Sequence, residues 1–329
     1  MKNVQSKLVL MAALVVLVVC SSWGFLMHRT LIQLSVYQLP AEMQPFFYQN
    51  REELVRHSVR PDQRRNTDNT EDTKHFIDFE AYGKNAASQM PTKWQAAVRR
   101  YSEDTLLKYG YAPYWVVEMQ KRLTAAFRKG NKDSILFYAT DLAHYIHDAH
   151  VPLHTTLNYD GQLTNQKGLH SLWESMVPEL TLNEFDLRGN KKATYLQSAE
   201  KAIWKAVRQA HTLVPNLLEA ERRVSRQFTD STKYRTQTRN GKESRSYTSA
   251  FGRAYAKALE PTVNRQAIRA ANLVSDFWYT AWVDAGKPNL QKMLTKSWSK
   301  SDSKQLQQEV DAYNKNELLK KDLLLSKKE

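Results

Sequence analysis

The chain has 329 residues, a formal net charge of +14 and a single cysteine. One cysteine excludes an intramolecular disulfide framework. A chain of this length can bury a large apolar core, so it does not depend on disulfides to fold.

Residues 1–22 have the layout of a secretory signal. Lys2 and Lys7 precede an unbroken run of 13 apolar residues that ends at Cys20. Such a run is shorter than the ~20 residues that a membrane-spanning helix needs. We expect cleavage before Trp23 and export to the periplasm or the medium. Lipidation at Cys20 is the alternative, and the two valines before this residue disfavour it.

The next part of the chain, residues 23–299, is predicted to form one all-α domain, followed by a charged helical tail at 300–329. Alternating β patterns are scarce, and Asn240-Gly241 is typical of a turn. We expect a compact multi-helix monomer. Apolar residues recur at helical spacing over residues 95–109, 116–129, 133–149, 195–226 and 249–285.

Histidines are concentrated in one stretch, because five of the nine lie within residues 144–175. His144 and Asp148 are spaced i, i+4 on the predicted helix 133–149, so they point from the same face. Pro152 is expected to end this helix just before His154. The stretch therefore gathers imidazole and carboxylate groups near one helix end.

A second predicted helix, which begins near Gly168, carries His170 and Glu174 at the same i, i+4 spacing. Helical bundles often hold metals with a histidine and a carboxylate from each of two helices. Neutral imidazole and carboxylate without thiolate favour zinc, with other divalent ions as alternatives. A single pair would be explained by solvation or helix capping, but two pairs around a further histidine favour a metal centre.

This pattern resembles the zinc-dependent phospholipase C and S1/P1 nuclease superfamily. Further matches lie upstream in the expected order, whereas residues 181–329 carry no matching motif. The matching segments are Trp23-Gly24 with His28, "RPDQRR" with Asp62, "HFID" from His75 to Asp78, His144-x3-Asp148-x5-His154, and His170-x3-Glu174 around Trp173.

The resemblance implies an all-helical cleft that holds three zinc ions, with ligands carried over position by position. The first zinc would be held by Asp62, His75, His144 and Asp148. The second would be held by His154, His170 and Glu174. The third would be held by the α-amino group and carbonyl of Trp23, with His28 and Asp148. The terminal amine becomes available only after the leader is removed.

The activity implied by the resemblance is hydrolysis of phosphoric esters by zinc-activated water. Asp62, as a base or orienting group, and the bridging Asp148 are the catalytic candidates. Glu174 in place of aspartate, and the lack of disulfides, are closer to the phospholipase C branch, so we expect a phospholipase C-like phosphodiesterase. A single-strand nuclease and a catalytically silent zinc-binding exported protein are the alternatives.

Some residues depart from the family pattern. His147 stands where glycine is common, and His150 stands where a small polar residue or asparagine is usual. His147 could support a ligand, contact substrate or lie at the surface, and Asp78 could support the site or contact substrate. The pair His147-Asp148 also resembles the helical HD-type phosphohydrolases, but that resemblance leaves His28 and the second helix unexplained.

The substrate class stays open between phospholipid and nucleic acid. Residues 222–253 contain nine Lys and Arg against two acidic residues. Such a segment would suit nucleic acid or peripheral contact with an anionic membrane. A solvated loop would explain it equally well.

Overall fold

The computed structural model describes residues 24–189, 191–239 and 242–328. The predicted leader, Cys20 and Trp23 lie outside these residues, as does the predicted turn Asn240-Gly241.

Helices dominate the architecture, which confirms the predicted all-α class. The α-helices are α1 (Phe25–Tyr37), α2 (Gln44–Gln49), α3 (Arg51–His57), α4 (Arg60–Arg64), α5 (Ala86–Gln89), α6 (Trp94–Tyr101), α7 (Glu103–Tyr109), α8 (Ala112–Lys129), α9 (Lys132–Asp148), α10 (Leu169–Ser171), α11 (Val177–Thr181), α12 (Ala199–His211), α13 (Val214–Ser225), α14 (Asp230–Lys233), α15 (Ser249–Ala258), α16 (Thr262–Asp284) and α17 (Lys300–Asn314). A π-helical turn spans Leu172–Met176, and short 3-10 helices span Asp72–Lys74, Phe79–Tyr82, Pro152–Thr155, Leu182–Glu184, Leu290–Met293 and Leu325–Lys327. Within the described ranges, none of the helices combines the length and apolar character needed to cross a membrane.

One antiparallel hairpin interrupts the helices. Strand β1 (Tyr234–Arg239) pairs with β2 (Lys242–Tyr247), and Tyr234 lies opposite Tyr247. The predicted basic segment therefore contains an ordered hairpin. Lys233, the residue before β1, pairs with the buried Glu221 at 2.6 Å. Part of the positive charge of the basic segment is therefore neutralised within the protein.

The helix pair α8 and α9 forms the wall that carries most of the predicted site. Helix α8 ends at Gly130, whose φ of +64° is the left-handed conformation that glycine adopts at low cost. Asn131 then caps α9 by accepting a hydrogen bond from the backbone N–H of Ser134. This tight reversal packs the two helices side by side and buries the C-terminal half of α9.

Helix α16 runs through the centre of the core and contacts α1, α8 and α9. The indole N–H of Trp278 donates to the carbonyl of Ala139 in α9 at 3.0 Å, and its ring stacks on Phe47 with centroids 4.7 Å apart. Both rings are fully buried. Burial of large aromatic rings in this way stabilises the packing of α2, α9 and α16 against one another.

Three predicted helices are each divided in two. The break within 95–109 falls at Ser102, whose φ is +69°. The break within 195–226 falls just before Pro215, and the break within 249–285 falls at Pro261. A proline ring restricts the preceding residue and removes an N–H donor, so a helix tends to restart there. The apolar period did not reveal the breaks because both halves bury a face against the same core.

Residues 300–328, predicted as a charged tail, pack on the same core as α1. The buried carboxylate of Glu309 in α17 accepts hydrogen bonds from the hydroxyls of Tyr37 at 2.8 Å and Tyr48 at 2.5 Å. Farther along, the side-chain amide of Gln33 donates to the carbonyl of Leu323 at 2.8 Å. The end of the described chain thus covers the first helix.

Candidate metal centre

Helix α9 supplies the central pair of the cluster. Both His144 and Asp148 are buried, and the imidazole Nε2 lies 3.3 Å from Asp148 Oδ2. The other ring nitrogen, Nδ1, lies 2.8 Å from the carbonyl oxygen of Ser58. A carbonyl can only accept, so Nδ1 carries a proton, and in the neutral imidazole the lone pair of Nε2 faces the carboxylates.

Asp62 in α4 and His75, just after the 3-10 helix Asp72–Lys74, complete the first group. The Nδ1 of His75 lies 2.8 Å from Asp148 Oδ2 and 3.2 Å from the Nε2 of His144. Asp62 Oδ1 lies 3.6 Å from the Nε2 of His144 and 3.8 Å from the Nδ1 of His75. The structure therefore brings all four residues predicted for the first zinc to one point.

His154, His170 and Glu174 form a second group. Glu174 Oε2 lies 2.7 Å from the Nε2 of His170 and 3.5 Å from the Nε2 of His154. The Nδ1 of His154 faces the carbonyl of His75 at 2.8 Å, which again leaves Nε2 free for the site. Glu174 lies in the π-helical turn, a local widening that is common at functional sites.

His28, from α1, lies between the two groups. Its Nε2 is 3.6 Å from Asp148 Oδ1 and 3.8 Å from Glu174 Oε1. Its ring stacks on that of His144 with centroids 4.0 Å apart. Trp23, the remaining predicted ligand, lies outside the described residues.

The donor set fits divalent cations. Ligand atoms lie within 4.8 Å of one another in each of three groups, namely His28 with His144 and Asp148, Asp62 with His75 and His144, and His154 with His170 and Glu174. The carboxylates face imidazoles that are neutral in their ordinary form, so the cluster as a whole carries excess negative charge. Buried charge of this kind is costly unless cations compensate it.

The pKa values of two site histidines are raised, which shows that the carboxylates of the cluster favour positive charge beside them. Burial lowers the pKa of His154, but the carboxylates of Asp148 and Glu174 outweigh it and raise that pKa to about 9. The same opposition leaves the pKa of His144 well above its usual value, because Asp148 and Asp62 lie beside it. Neutral imidazole with carboxylate oxygen is a donor set that zinc prefers.

A buried ionic network behind His75 was not predicted from the sequence. Glu71 Oε1 lies 3.5 Å from the Nε2 of His75. Arg64 donates to both oxygens of the Glu71 carboxylate at 3.0 Å, Lys74 donates at 2.8 Å, and the hydroxyl of Tyr145 also donates. Burial raises the pKa of Glu71, but these contacts hold it well below its usual range. A carboxylate behind a ligating imidazole fixes the ring orientation, and the i, i+4 spacing of Glu71 and His75 was the available signal.

A cleft of about 510 Å³ opens beside the cluster, and Phe76, Asp78 and Tyr159 line it together with site histidines. Backbone hydrogen bonds hold the segment 76–78 on both sides: Ile77 N–H donates to the carbonyl of His154 at 2.9 Å, and Asp78 N–H donates to that of Tyr109 at 2.9 Å. Burial raises the pKa of Asp78 to about 7. Asp78 thus lies in the cleft wall and outside the three ligand groups.

Arg65 also lines the cleft, and the sequence analysis did not single it out. Its exposed guanidinium lies 3.7 Å from Asp62 Oδ1 and 2.5 Å from Asp72 Oδ1. The signal was its position three residues after Asp62 within "RPDQRR".

The two atypical histidines, His147 in α9 and His150 just after this helix, are both buried. The Nδ1 of His147 lies 3.2 Å from the Nδ1 of His28, whereas the Nδ1 of His150 faces the carbonyl of Ile146 at 2.8 Å. Burial lowers the pKa of His147 well below its usual value, and that of His150 to about 4. A surface position for His147, one of the predicted possibilities, is wrong.

Comparison with known proteins identifies the family. A family model described as S1/P1 nuclease matches residues 32–278, a span that includes both helix pairs of the cluster. A comparison with curated proteins gives no match. The resemblance to HD-type phosphohydrolases gains no support from the family match. Over most of its length, the chain belongs to the S1/P1 nuclease family of zinc-dependent phosphodiester hydrolases.

Proposed function

We propose that the protein hydrolyses phosphodiester bonds of single-stranded nucleic acid. The observation that carries this proposal is the segment 76–78, which is held by backbone hydrogen bonds and places an aromatic ring and a carboxyl group in the lining of the cleft next to the metal-binding groups. An unpaired base offers a π-face for stacking and a polar edge for hydrogen bonding. The ring of Phe76 stacks on the face of the base, and the carboxyl group of Asp78 forms hydrogen bonds with its edge.

The remaining roles follow from position and chemistry. Arg65 is exposed in the cleft and binds the phosphate, because a guanidinium matches phosphate oxygens. Asp62 is only partly buried, so it orients a water or takes its proton. Asp148 is buried beneath the imidazoles and holds the cations. Zinc, when bound, polarises water and phosphoryl oxygens.

We also propose three zinc ions and export after cleavage before Trp23. The position of His28 between two carboxylates supports a third site. A form that keeps Ser21-Ser22 ahead of Trp23 replaces the terminal amine by an amide, so it should bind one zinc fewer and turn over at least ~10-fold more slowly. Elemental analysis and mass spectrometry of both forms test this. Equal zinc contents and equal rates would rule out the terminal ligand.

A second substrate class is favoured by a different observation. On the loop beside the cleft, Tyr159 is 54% exposed and Leu163 is 69% exposed. Tyr159 lines the cleft and Leu163 lies four residues further along the same loop, and exposed apolar side chains near a cleft suit a lipid surface. The phospholipase C-like alternative therefore remains as a proposal.

Substrate assays with two variants separate the classes. Zinc-loaded protein is given single-stranded DNA, phosphatidylcholine vesicles or bis(4-nitrophenyl) phosphate. Phe76→Leu should raise KM for DNA by ~10-fold or more, since a base–aromatic stack contributes about 1–3 kcal/mol. Hydrolysis of the small diester should not change.

Leu163→Ser is the matched control, because it changes the rim and leaves the base contact intact. Hydrolysis of phosphatidylcholine but not DNA, lowered by Leu163→Ser and insensitive to Phe76→Leu, would establish the phospholipase class instead. Full zinc occupancy without turnover of any of the three substrates would establish the silent zinc-binding protein.

A further inference from the structure

His28 differs from the other site histidines in how its outward nitrogen is held. The Nδ1 atoms of His144 and His154 face backbone carbonyls at 2.8 Å. The Nδ1 of His28 instead faces the Nδ1 of His147 at 3.2 Å, and both rings are buried. In the described part of the chain, no backbone carbonyl is hydrogen-bonded to this atom.

Two facing nitrogens need one proton between them. If His28 is to offer the lone pair of Nε2 to a cation, its single ring proton lies on Nδ1. That N–H can then donate to the lone pair of His147 Nδ1, and the proton of His147 lies on Nε2. Of the three other neutral arrangements, one sets two N–H groups against each other at 3.2 Å, and the remaining two place a proton on the metal-facing nitrogen of His28.

The far side of His147 accommodates this tautomer. Its Nε2 has no hydrogen-bond partner among the described residues. His147 borders a cavity of about 40 Å³ that is lined by residues of α1 and α16 together with His150, Trp173 and Glu174. A cavity of this size admits a water molecule that can accept from Nε2. His147 does not border the substrate cleft, so contact with substrate does not explain its position.

We propose that His147 is a positioning residue that accepts the Nδ1–H of His28, fixes its tautomer and thereby aims its Nε2 at the cation site between Asp148 and Glu174. This inference rests on the proposed metal-binding function. Helix α9 then supplies both a bridging ligand, Asp148, and, one residue earlier, the group that orients a ligand on another helix.

The test compares two replacements of similar size. His147→Gln keeps a carbonyl oxygen that can accept from His28, whereas His147→Met cannot accept this hydrogen bond. His150→Met is the matched control, because His150 is also buried, borders the same cavity and directs its Nδ1 to the backbone carbonyl of Ile146. Metal-free protein is titrated with zinc alone, and affinities are measured by calorimetry with a competing chelator.

The weakest zinc-binding step should be ~10–100-fold weaker in His147→Met, the range typical of lost support behind a ligating histidine. The zinc affinity of this step should return to the wild-type value in His147→Gln and should be unchanged in His150→Met. Circular dichroism confirms that each variant is folded.

Equal affinities in the wild type and His147→Met would overturn the inference. Equal losses in His147→Met and His147→Gln, or in His147→Met and His150→Met, would also overturn it, because packing alone would then explain the effect. If His147→Met does not fold, comparison of His147→Gln with the wild type decides: a retained affinity supports the inference, and a loss overturns it. Absence of zinc binding by the wild type would instead refute the proposed function, and the inference with it.

Discussion

Removal of zinc should reverse the direction in which pH changes the stability of the protein. Without metal, the carboxylates of the cluster must be balanced by protons on the histidines. Burial lowers the pKa of His154 and His144, but the neighbouring carboxylates outweigh it, raising the pKa of His154 to about 9 and that of His144 well above its usual value. The folded metal-free protein therefore binds protons that the unfolded chain releases at neutral pH.

The sign and size follow from linkage. A group whose pKa is raised on folding contributes stability that is fully present below the unfolded pKa of ~6.5 and is lost as pH rises through the folded value. For His154, a rise from ~6.5 to about 9 corresponds to roughly 3 kcal/mol. In a protein of this size, that loss lowers Tm by roughly 5–10 °C. The metal-free protein should therefore become less stable between about pH 6.5 and pH 9.

Zinc binding displaces these protons, because a ligating imidazole must be neutral. The loaded protein should instead lose metal and stability as pH falls below ~6.5. Thermal melts across this pH range, with zinc and with excess chelator, measure both slopes. A chelated protein whose Tm stays level or rises between about pH 6.5 and pH 9 would refute the charge balance described for the cluster. Unchanged melting on chelation at every pH would refute the metal centre itself.

Three substitutions, two of them paired with a control substitution, test the supporting structure by urea unfolding. Gly110→Ala should lower the free energy of unfolding by roughly 3 kcal/mol, because φ is +87° and the added Cβ would lie 2.3 Å from the backbone oxygen of Phe76 in the cleft wall. Gly130→Ala is the control and should lower it by only ~1 kcal/mol, because φ is +64° but the space around the residue is open. Equal losses would show that the close approach at Gly110 is unimportant. Glu71→Gln should lower the free energy of unfolding by about 3 kcal/mol, since it leaves Arg64 and Lys74 without their carboxylate partner. Glu118→Gln removes a carboxylate from an exposed ion pair and should lower it by less than ~0.5 kcal/mol. Similar losses for the two substitutions would refute the role of the buried network. Glu309→Ala should cost roughly 2–4 kcal/mol because two buried tyrosine hydroxyls lose their acceptor, and a neutral effect would show that α17 is a dispensable tail.

The all-α class and the grouping of the ligands were predictable because their signals are local. An i, i+4 pair such as His144 and Asp148 shares a helix face wherever the helix lies. The family motif supplied the long-range pairing of these residues with Asp62 and His75. The described ligand candidates consequently lie where the sequence analysis placed them relative to one another.

The features that the sequence analysis did not predict depend mainly on contacts between segments that are far apart in the sequence. The burial of His147 follows from the crossing of α1 over α9, and no local pattern encodes that crossing. Arg65 becomes a cleft residue only because the 3-10 helix that carries Asp72 lies beside it. The hairpin escaped prediction because its strands are polar on both faces, so the alternation that marks a half-buried strand is missing.

The packing of residues 323–326 on α1 sets the order in which the surroundings of His28 are completed. Thr30 and Gln33 lie within two turns of His28, and they bond to Ser326 and Leu323 at 2.8 Å. During translation at ~5–20 residues per second, α1 precedes these partners by on the order of 15–60 s. For that interval the helix that carries His28 lacks part of its covering. The helix that carries His28 therefore gains its full set of contacts only after residues 323–326 have been made, and a chain that stops before them lacks contacts that hold this ligand candidate in place.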